Sequence, residues 1–446
     1  MYSNTTGDAT AMGYQALYAN TTGSANAAYG YNTLDSNTTG NYNTGLGAFA
    51  LQANTTASYN TAVGYQAGYA GATHSGVTAI GYTALKNNTG NLNFAGGYET
   101  LLGNTSGANN TAVGAQALRS NTTASNNTAV GYQAGYANTT GADNVALGYQ
   151  ALLDNTTGGE NTAVGKGALQ DNTTGTENTA VGRLALRDNN GTENVAVGTN
   201  AAQRNTSGNY NTAVGMAALY SNTTASYNTA VGYRAGYSHT TGDGRNVFVG
   251  RDAGYSATGD RNTFVGDFAG SVITTGQQNT IIGRYDGNYG GLDIRTSSNN
   301  IVLSDGDGNP RLYLDNLGRP FCVGAYSFTT AAAANMFVAS SGQFFRSTSS
   351  LRYKNTVNDA AHGLAELLTL RPVTYKGNND GDAVFGGLIA EEVHDAGLTE
   401  FVQYDEEGRP DALAYGQMVS LCIKAIQEQQ ATITALQARI EALENA

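Results

Sequence analysis

The sequence predicts a mainly β protein, in which a long parallel β-solenoid is followed by a small α+β domain. A motif with the consensus N-T-A-V-G-Y-Q-A-L-x-x-N-T-T-G-x-x recurs from Gly13 to Gly283. Each repeat is too short, and too rich in glycine and β-branched residues, to form a pair of helices. From about residue 349 the composition changes, and leucine and glutamate appear with helical periodicity. These observations divide the chain into a repetitive shaft over residues 1–283, a segment over 284–348 and a terminal domain over 349–446.

The period of the motif is nearly constant. Its glycine occurs seventeen times from Gly13 to Gly283, and twelve of the sixteen intervals are seventeen residues long. A fixed period of this length indicates stacked coils, each of which buries its apolar face against its neighbours. With one coil per repeat and a strand spacing of about 4.8 Å, the shaft is expected to form a rod of roughly 80 Å.

Within one repeat, the segment Asn60-Thr-Ala-Val-Gly64 predicts a short strand. Alternation places Thr61 and Val63 on one face, and Ala62 and Gly64 on the other, where small residues let another backbone come close. The N-T-T-G segment predicts a turn in which asparagine caps its own backbone and glycine supplies a positive φ. Asparagines repeated at this period are expected to form a hydrogen-bonded ladder.

Composition and charge exclude several classes of function. The formal net charge of −12 argues against a nucleic-acid partner, because phosphate binding needs a basic patch. Cys322 and Cys422 are far apart and fit neither a disulfide framework nor a metal site, so no cofactor or metal is expected. The chain shows no signal peptide and no run of eighteen apolar residues, so no membrane insertion is expected.

Residues 284–348 are predicted to form a β-rich neck or tip. Residues 300–304 and 311–315 predict two strands of a hairpin. The loop between them begins with Asp305, Asp307 and Asn309, as a calcium loop does. Pro310 stands where such a loop needs glycine, and Asn316 where it needs glutamate. The hairpin is therefore the favoured interpretation, and a metal site is the alternative.

The last helix shows heptads that predict a coiled coil over about residues 413–445. The alternative is an amphipathic helix that packs on its own domain. Together with the small-residue strand face, the heptads predict trimerisation. The a and d positions of the predicted seam are Val419, Cys422, Ile426, Gln429, Ile433, Leu436, Ile440 and Leu443.

Two resemblances add to this interpretation. The N-x-A-V-G core resembles the left-handed parallel β-roll heads of trimeric autotransporter adhesins, which implies a left-handed roll and a homotrimer. The C-terminal segment resembles the intramolecular chaperone domain of endosialidases and other phage fibres, peptidase family S74. It departs from the family pattern at Ser350, where Asp is usual, and at Tyr353, where Leu is usual. The matching blocks are residues 349–354, 363–368, 370–375, 387–393 and 415–419.

Ser349 and Lys354 are the candidate catalytic pair. A serine hydroxyl becomes a nucleophile when a base removes its proton, and a lysine of lowered pKa can be that base. The residues alone are equally those of a Ser/Thr-rich linker. The chaperone resemblance implies that Ser349 and Lys354 cut the Thr348–Ser349 bond once, as a serine autoprotease. Ser350 is the alternative nucleophile.

The resemblances imply a structural or host-adhesion fibre of a phage-type tail, located in the virion and made in the host cytoplasm. Expected partners are a host cell-surface glycan or protein receptor and a virion attachment protein. A bacterial surface adhesin and a glycan-binding or depolymerising tailspike are the alternatives. A depolymerase needs paired carboxylates in a groove. Glu160, Glu177 and Glu193 stand seventeen and sixteen residues apart, which predicts a solvated stripe instead. The repeats themselves are interpreted either as a spacer or as exposed Tyr and Thr arrays that bind a glycan.

Overall fold

The computed structural model describes residues 7–322, 336–338, 344–346, 356–377, 382–405 and 407–445. The chain divides into two compact units, Met1–Phe328 and Thr329–Ala446.

The first unit is a parallel β-solenoid in which each coil contributes one short strand. Consecutive strands pair in parallel and in register, as Thr162 does with Thr179 and Val164 with Val181. A mainly β chain with a parallel solenoid of about seventeen turns is therefore confirmed. The strands are β1 Ala9–Met12, β2 Asn26–Tyr29, β3 Thr44–Leu46, β4 Thr61–Val63, β5 Thr78–Ile80, β6 Phe94–Gly96, β7 Thr111–Val113, β8 Thr128–Val130, β9 Val145–Leu147, β10 Thr162–Val164, β11 Thr179–Val181, β12 Val195–Val197, β13 Thr212–Val214, β14 Thr229–Val231, β15 Val247–Val249, β16 Thr263–Val265 and β17 Thr280–Ile282.

The two faces of each strand divide as the alternation predicts. In β4, Ala62 is buried, whereas Thr61 and Val63 are half-buried on the other face. The small-residue face, however, points into the coil of its own chain. It is therefore not open to a second chain, and this part of the argument for a trimer is wrong.

The motif glycine lets consecutive coils approach closely. Gly64 has a φ of 134°, and a Cβ there would lie 2.3 Å from the carbonyl oxygen of Gly81. The glycine of N-T-T-G, in contrast, does not supply a positive φ at Gly23 or Gly40, which corrects the expectation for this turn. Non-glycine residues take the left-handed conformation instead, such as Leu51 and Tyr59.

Buried asparagines form the predicted ladder along the solenoid. The Asn121 side-chain amide donates to Asn104 Oδ1 at 2.7 Å and to the Ala124 carbonyl oxygen of its own turn at 3.0 Å. In a second column, the backbone N–H of Asn144 donates to Asn127 Oδ1 at 2.9 Å. Each coil is thereby tied to its neighbours by side chains as well as by the strand ladder.

The solenoid ends in a small antiparallel addition. The strand β20, Ile301–Ser304, pairs in parallel with β17. It then forms the predicted hairpin with β21, Pro310–Leu314. The Asp305 carboxylate accepts the backbone N–H of Asn309 at 2.9 Å and pairs with Arg311, so this acid supports the turn. The added strands are β18 Asn288–Tyr289, β19 Leu292–Asp293, β20 Ile301–Ser304, β21 Pro310–Leu314 and β22 Pro320–Cys322.

The second unit contains short antiparallel hairpins and a long final helix. Its core contains Val393, Leu398, Phe401 and Leu421. These residues come from α2 (Ala390–Asp395), from the 3₁₀ helix Thr399–Phe401 and the residue before it, and from the start of α3 (Tyr415–Glu444). Its elements are β23 Met336–Val338, β24 Phe344–Arg346, α1 Leu364–Leu367, β25 Val373–Tyr375, β26 Phe385–Gly387, α2 Ala390–Asp395, a 3₁₀ helix Thr399–Phe401, β27 Val402–Tyr404, β28 Pro410–Leu413 and α3 Tyr415–Glu444.

Candidate functional site

The predicted cleavage site lies outside the described residues. Thr348, Ser349, Lys354 and the alternative nucleophile Ser350 all belong to that part of the chain. Their chemistry therefore stays a prediction. The structure does describe the motif blocks that follow them.

The block that begins at Gly363 is docked on the final helix. Glu428 Oε2, from α3, accepts the backbone N–H of Leu364 at 2.8 Å, at the start of α1. Glu366 accepts the N–H of Gly363 at 2.9 Å. A Cβ at Gly363 would lie 2.3 Å from Glu428 Oε2, so a side chain there would displace the Glu428 carboxylate from its present position. Glu428 thus satisfies a helix N-terminus that lies sixty-four residues away in the sequence.

Two further blocks meet at Tyr415. Its hydroxyl accepts the backbone N–H of Leu388 at 2.7 Å and donates to the Leu388 carbonyl oxygen at 3.2 Å. A Cβ at Gly387 would lie 2.7 Å from this hydroxyl. Arg371, Tyr375 and Tyr415 contribute to the lining of an open cleft of about 640 Å³ beside this contact. Blocks 370–375, 387–393 and 415–419 therefore come together in space.

A histidine near the start of this unit is held by an acid. His362 Nδ1 lies 2.7 Å from Glu400 Oε1. This hydrogen bond to the carboxylate raises the pKa of His362. The pair links the segment before α1 to the 3₁₀ helix, which supports the fold of the unit.

The helix α3 presents apolar residues on two faces. Met418, Leu421 and Ala425 are buried against their own unit. The predicted a positions point elsewhere, since Val419 is 56% and Ile426 63% exposed. Packing on its own domain therefore accounts for one face of the helix only. All eight seam residues are exposed: Val419, Cys422, Ile426, Gln429, Ile433, Leu436, Ile440 and Leu443.

The seam residues also bear on the number and direction of the strands. In the last two heptads, isoleucine at a precedes leucine at d, a combination that favours two strands in parallel coiled coils. The expectation of three strands is based on the heptads together with the small-residue strand face, and the resemblance to trimeric adhesin heads also implies it; the a and d residues of these two heptads do not add support for that number. Arg439 stands at g and Glu444 at the following e, which places opposite charges across a parallel interface.

The shaft exposes an apolar column along its strands. Each strand contributes its last outward-facing residue, such as Val113 in β7, to this column. Between Met12 and Leu303 the contributed residue is apolar in every coil except at Gly96. Contiguous exposed apolar surface on this scale is uncommon on a monomer. The exposed members of this outer apolar column are Met12, Leu46, Ile80, Val113, Val130, Leu147, Val181, Val197, Val231, Val265, Ile282 and Leu303.

Tyrosines predicted as a glycan-binding array form a stacked ladder. Tyr14 and Tyr31 have ring centroids 5.2 Å apart, and Tyr65 and Tyr82 have centroids 5.5 Å apart. Within the stacked runs the rings face one another and present mainly ring edges and hydroxyl groups to solvent, whereas Phe49 is T-shaped to both Tyr31 and Tyr65. A sugar that stacks on an aromatic face finds that face occupied here.

The acidic stripe has the position that the spacing predicts. Glu160, Glu177 and Glu193 are all exposed, each at the residue before a strand asparagine. The next residue of this column, Tyr210, is hydrogen-bonded to Glu193, which raises the pKa of the Tyr210 hydroxyl. The three glutamates form a solvated edge.

No family model, curated protein or solved structure matches this chain. The likeness to chaperone domains and adhesin heads therefore rests on the motif blocks and on the repeat. Among the residues that the structure describes, no helix combines the length and the apolarity needed to cross a bilayer.

Proposed function

We propose that this protein is a trimeric fibre of a phage-type tail, with a solenoid shaft and a C-terminal chaperone domain. The observation that carries self-association is the exposed seam of α3, and the number of three chains follows from the resemblance to trimeric adhesin heads. Its first turns are anchored to their own unit by Met418 and Leu421, while the seam residues face away. A helix held in this way presents its second apolar face for association with other copies.

The free energy of association favours this arrangement. Burial of apolar surface contributes about 25 cal/mol per Å², so an exposed heptad seam gains stability when it meets a partner seam. Gln429 at a d position is the polar exception, which sets the register at some expense of stability.

The outer apolar column supports the same assembly. A partner that covers it must be as long as the shaft and must repeat at the same strand spacing. A second and third copy of the chain, parallel and in register, meet both conditions. This contact replaces the strand face of small residues, which the chain uses for its own core.

The C-terminal unit would act as a chaperone because the shaft is difficult to assemble. Parallel stacking depends on non-local contacts, which form slowly and expose strand edges meanwhile. Association at the C-terminal ends raises the local concentration of the shafts.

The proposed cleavage balances as an acyl shift followed by hydrolysis. Ser349 Oγ attacks the carbonyl carbon of Thr348 and Lys354 accepts the hydroxyl proton. Lys354 then returns this proton to the amide nitrogen of Ser349, which leaves as an amine. Water then hydrolyses the ester and frees the Thr348 carboxylate and the Ser349 hydroxyl. Loss of the chaperone would leave the shaft kinetically trapped.

Host attachment is the role proposed for the released fibre, with a cell-surface glycan or protein as receptor. A bacterial adhesin or a tailspike would share the trimer but differ in anchoring or in hydrolysis. Incubation of the purified fibre with host capsular polysaccharide distinguishes a tailspike, which would shorten the polysaccharide.

Light scattering of the intact chain tests the assembly. The expected mass is three times the chain mass of 46.1 kDa, and a mass of one chain would overturn the proposal. Ile426→Asp and Ile433→Asp together should lower the mass, because a charge on the seam is costly to bury. Gln427→Asp, one residue outside the seam, is the matched control and should retain it.

A further inference from the structure

A cleft at the end of the solenoid has the features of a ligand site. It lies between the last full coil, the β18–β19 pair and the loop between β20 and β21, all within the first unit. Its volume is about 240 Å³. Phe268, Arg284, Asp286, Tyr289 and Asp307 are among the residues that line it.

One aromatic ring of this end cleft is covered by guanidinium groups. The guanidinium of Arg251 lies 4.5 Å from the Phe268 ring centroid, and that of Arg284 lies 5.6 Å from it. Arg251 is itself held by Asp267 through two bonds of 2.8 and 2.9 Å. Phe268 therefore positions the arginines, and the aromatic face open to a ligand is that of Tyr289.

A second aromatic residue, Tyr289, also lines the cleft. Tyr289 is 49% exposed and lies in β18, which pairs with β19. Gly308 lies beside it at a φ of 93°, where a Cβ would be 3.1 Å from the Arg284 carbonyl oxygen and 3.9 Å from Tyr289 Cδ1. Glycine therefore lets the loop approach the coil closely enough to form the cleft.

Polar groups with unused hydrogen-bonding capacity also line the cleft. The Asp307 carboxylate makes no hydrogen bond or ion pair with the described residues, although its backbone N–H donates to Asp305 Oδ1 at 3.0 Å. Asp286 Oδ1 accepts the Asn288 N–H at 2.8 Å, which leaves the other oxygen available. Arg284 Nε is 3.7 Å from Asp267 Oδ2, so its guanidinium retains donors.

This combination matches the surface of a sugar ring. Adjacent hydroxyl groups donate to a carboxylate and accept from a guanidinium, while the C–H groups of the ring pack against an aromatic side chain. A carboxylated or phosphorylated ligand would meet two carboxylates against the single guanidinium of Arg284, so a neutral ligand is favoured. Both aspartates are at least partly accessible to solvent, which suits binding rather than the buried general acid of a glycosidase.

We propose that the end cleft binds one neutral pyranose ring of a cell-surface glycan. The inference rests on the proposed host-attachment role and names the class of receptor. It places the sugar at the shaft terminus rather than on the tyrosine ladder, whose ring faces are occupied.

Saturation-transfer NMR of the full chain with D-glucose, D-galactose, D-mannose and N-acetylglucosamine tests this directly. At least one of these sugars should receive saturation, and N-acetylneuraminic acid, which is anionic, should receive none. If all four neutral sugars fail to bind, the inference is wrong.

Variants locate the site. Asp307→Asn should weaken binding of that sugar about tenfold, the loss expected for a hydrogen bond to a charged group. Tyr289→Ala should weaken it as well. Asp307 contributes no side-chain bond to its turn, so its variant is expected to keep the trimer mass and the unfolding midpoint. Glu160→Gln is the matched control on the exposed stripe.

The outcomes separate the two proposals. Binding that persists unchanged in both cleft variants would overturn the inference. If the fibre adheres to host cells with both variants present, the attachment role stands without the cleft. A fibre that binds neither cells nor sugars contradicts both proposals.

Discussion

The ring of Phe248 lies in the space that a side chain at Gly236 would need. A Cβ at Gly236 would be 2.6 Å from Phe248 Cδ2, and one at Gly254 would be 2.4 Å from Phe248 Cδ1. Most coils have leucine where these glycines stand and alanine where Phe248 stands. The larger ring of Phe248 therefore fills the space that the missing leucine side chains leave, and the interior stays close-packed.

At Gly135 no larger side chain in the neighbouring strands replaces the missing leucine. It stands at the leucine position, but the neighbouring strands retain Ala129 and Ala146. A cavity of about 10 Å³ remains, and the buried side-chain nitrogen of Asn127 beside it has no partner among the described residues. The cavity has about the size needed for one water molecule.

Gly135→Leu should stabilise the solenoid by about 1–2 kcal/mol, because it restores the apolar side chain that most coils bury at this position. The backbone is already suited to leucine, because Gly135 has a φ of 60° and Leu118 and Leu152 have φ values of 48° and 51°. Leu118 Cδ2, which would lie 2.9 Å from the new Cβ, must rotate away. Urea unfolding measures the change.

Gly236→Leu is the matched control and should destabilise the solenoid by about 1–3 kcal/mol, because the Phe248 ring fills the site. A shift of both variants in the same direction would contradict this account of the core.

Acid should weaken the shaft through His74. This side chain is buried, neither ring nitrogen has a partner among the described residues, and burial lowers its pKa to about 4. The unfolded chain, with a pKa of 6.5, binds the proton more readily than the folded one. The contribution of His74 to the free energy of unfolding is fully present above pH 6.5 and decreases as the pH falls towards 4. The total decrease is about 3 kcal/mol.

Replacement of His74 tests the pH dependence. His74→Phe keeps a ring and removes the titration, so unfolding midpoints between pH 4 and 6.5 should vary less. Burial also lowers the pKa of His239. A double variant in which both His74 and His239 are replaced should make the unfolding midpoint still less dependent on pH. An unaltered slope in the double variant would falsify this assignment.

Cys422 offers a test of strand direction. It is exposed at a d position, so parallel seams in register would bring the Cys422 residues of neighbouring chains within disulfide distance. In a Cys322→Ser background, mild oxidation should yield covalent dimers on a non-reducing gel. Cys422→Ser combined with Gln427→Cys moves the thiol outside the seam and should yield few. Equal cross-linking of the two thiols would exclude a parallel seam in register.

Cleavage at Thr348–Ser349 should produce a shaft of residues 1–348 and a fragment that begins at Ser349. Ser349→Ala and Lys354→Ala should each abolish the cut while the trimer still forms, as intact mass and light scattering would show. Ser347→Ala is the neighbouring control and should be cut normally. If Ser349→Ala is still cut completely, either Ser350 is the nucleophile or the proposed serine–lysine cleavage is wrong.

Much of the shaft was predictable because a repeat multiplies each local signal. Alternation at Thr61, Ala62 and Val63 predicted the strand and its two faces, and the period predicted the pairing partner seventeen residues away. The asparagine ladder followed from the same spacing, since identical side chains in stacked coils must lie beside one another.

Other features were not predictable from local rules. Local rules reserve positive φ for glycine because it lacks a Cβ, yet Leu51 and Tyr59 adopt it here. For Leu51, burial of the side chain in the coil offsets the local cost. His74 fills the space beside Gly71, where other coils place asparagine, and a Cβ at Gly71 would lie 1.0 Å from its ring.

The sequence by itself determined the period, the strands, the hairpin after β20 and the length of the final helix. Only the tertiary structure decided that the alanine face points into its own coil and that Phe268, Asp286 and Asp307 share one cleft. The physical reason is that a repeat specifies contacts between equivalent residues of neighbouring coils. Which face turns inward, and which distant loops meet, depends on how the whole coil closes around its side chains.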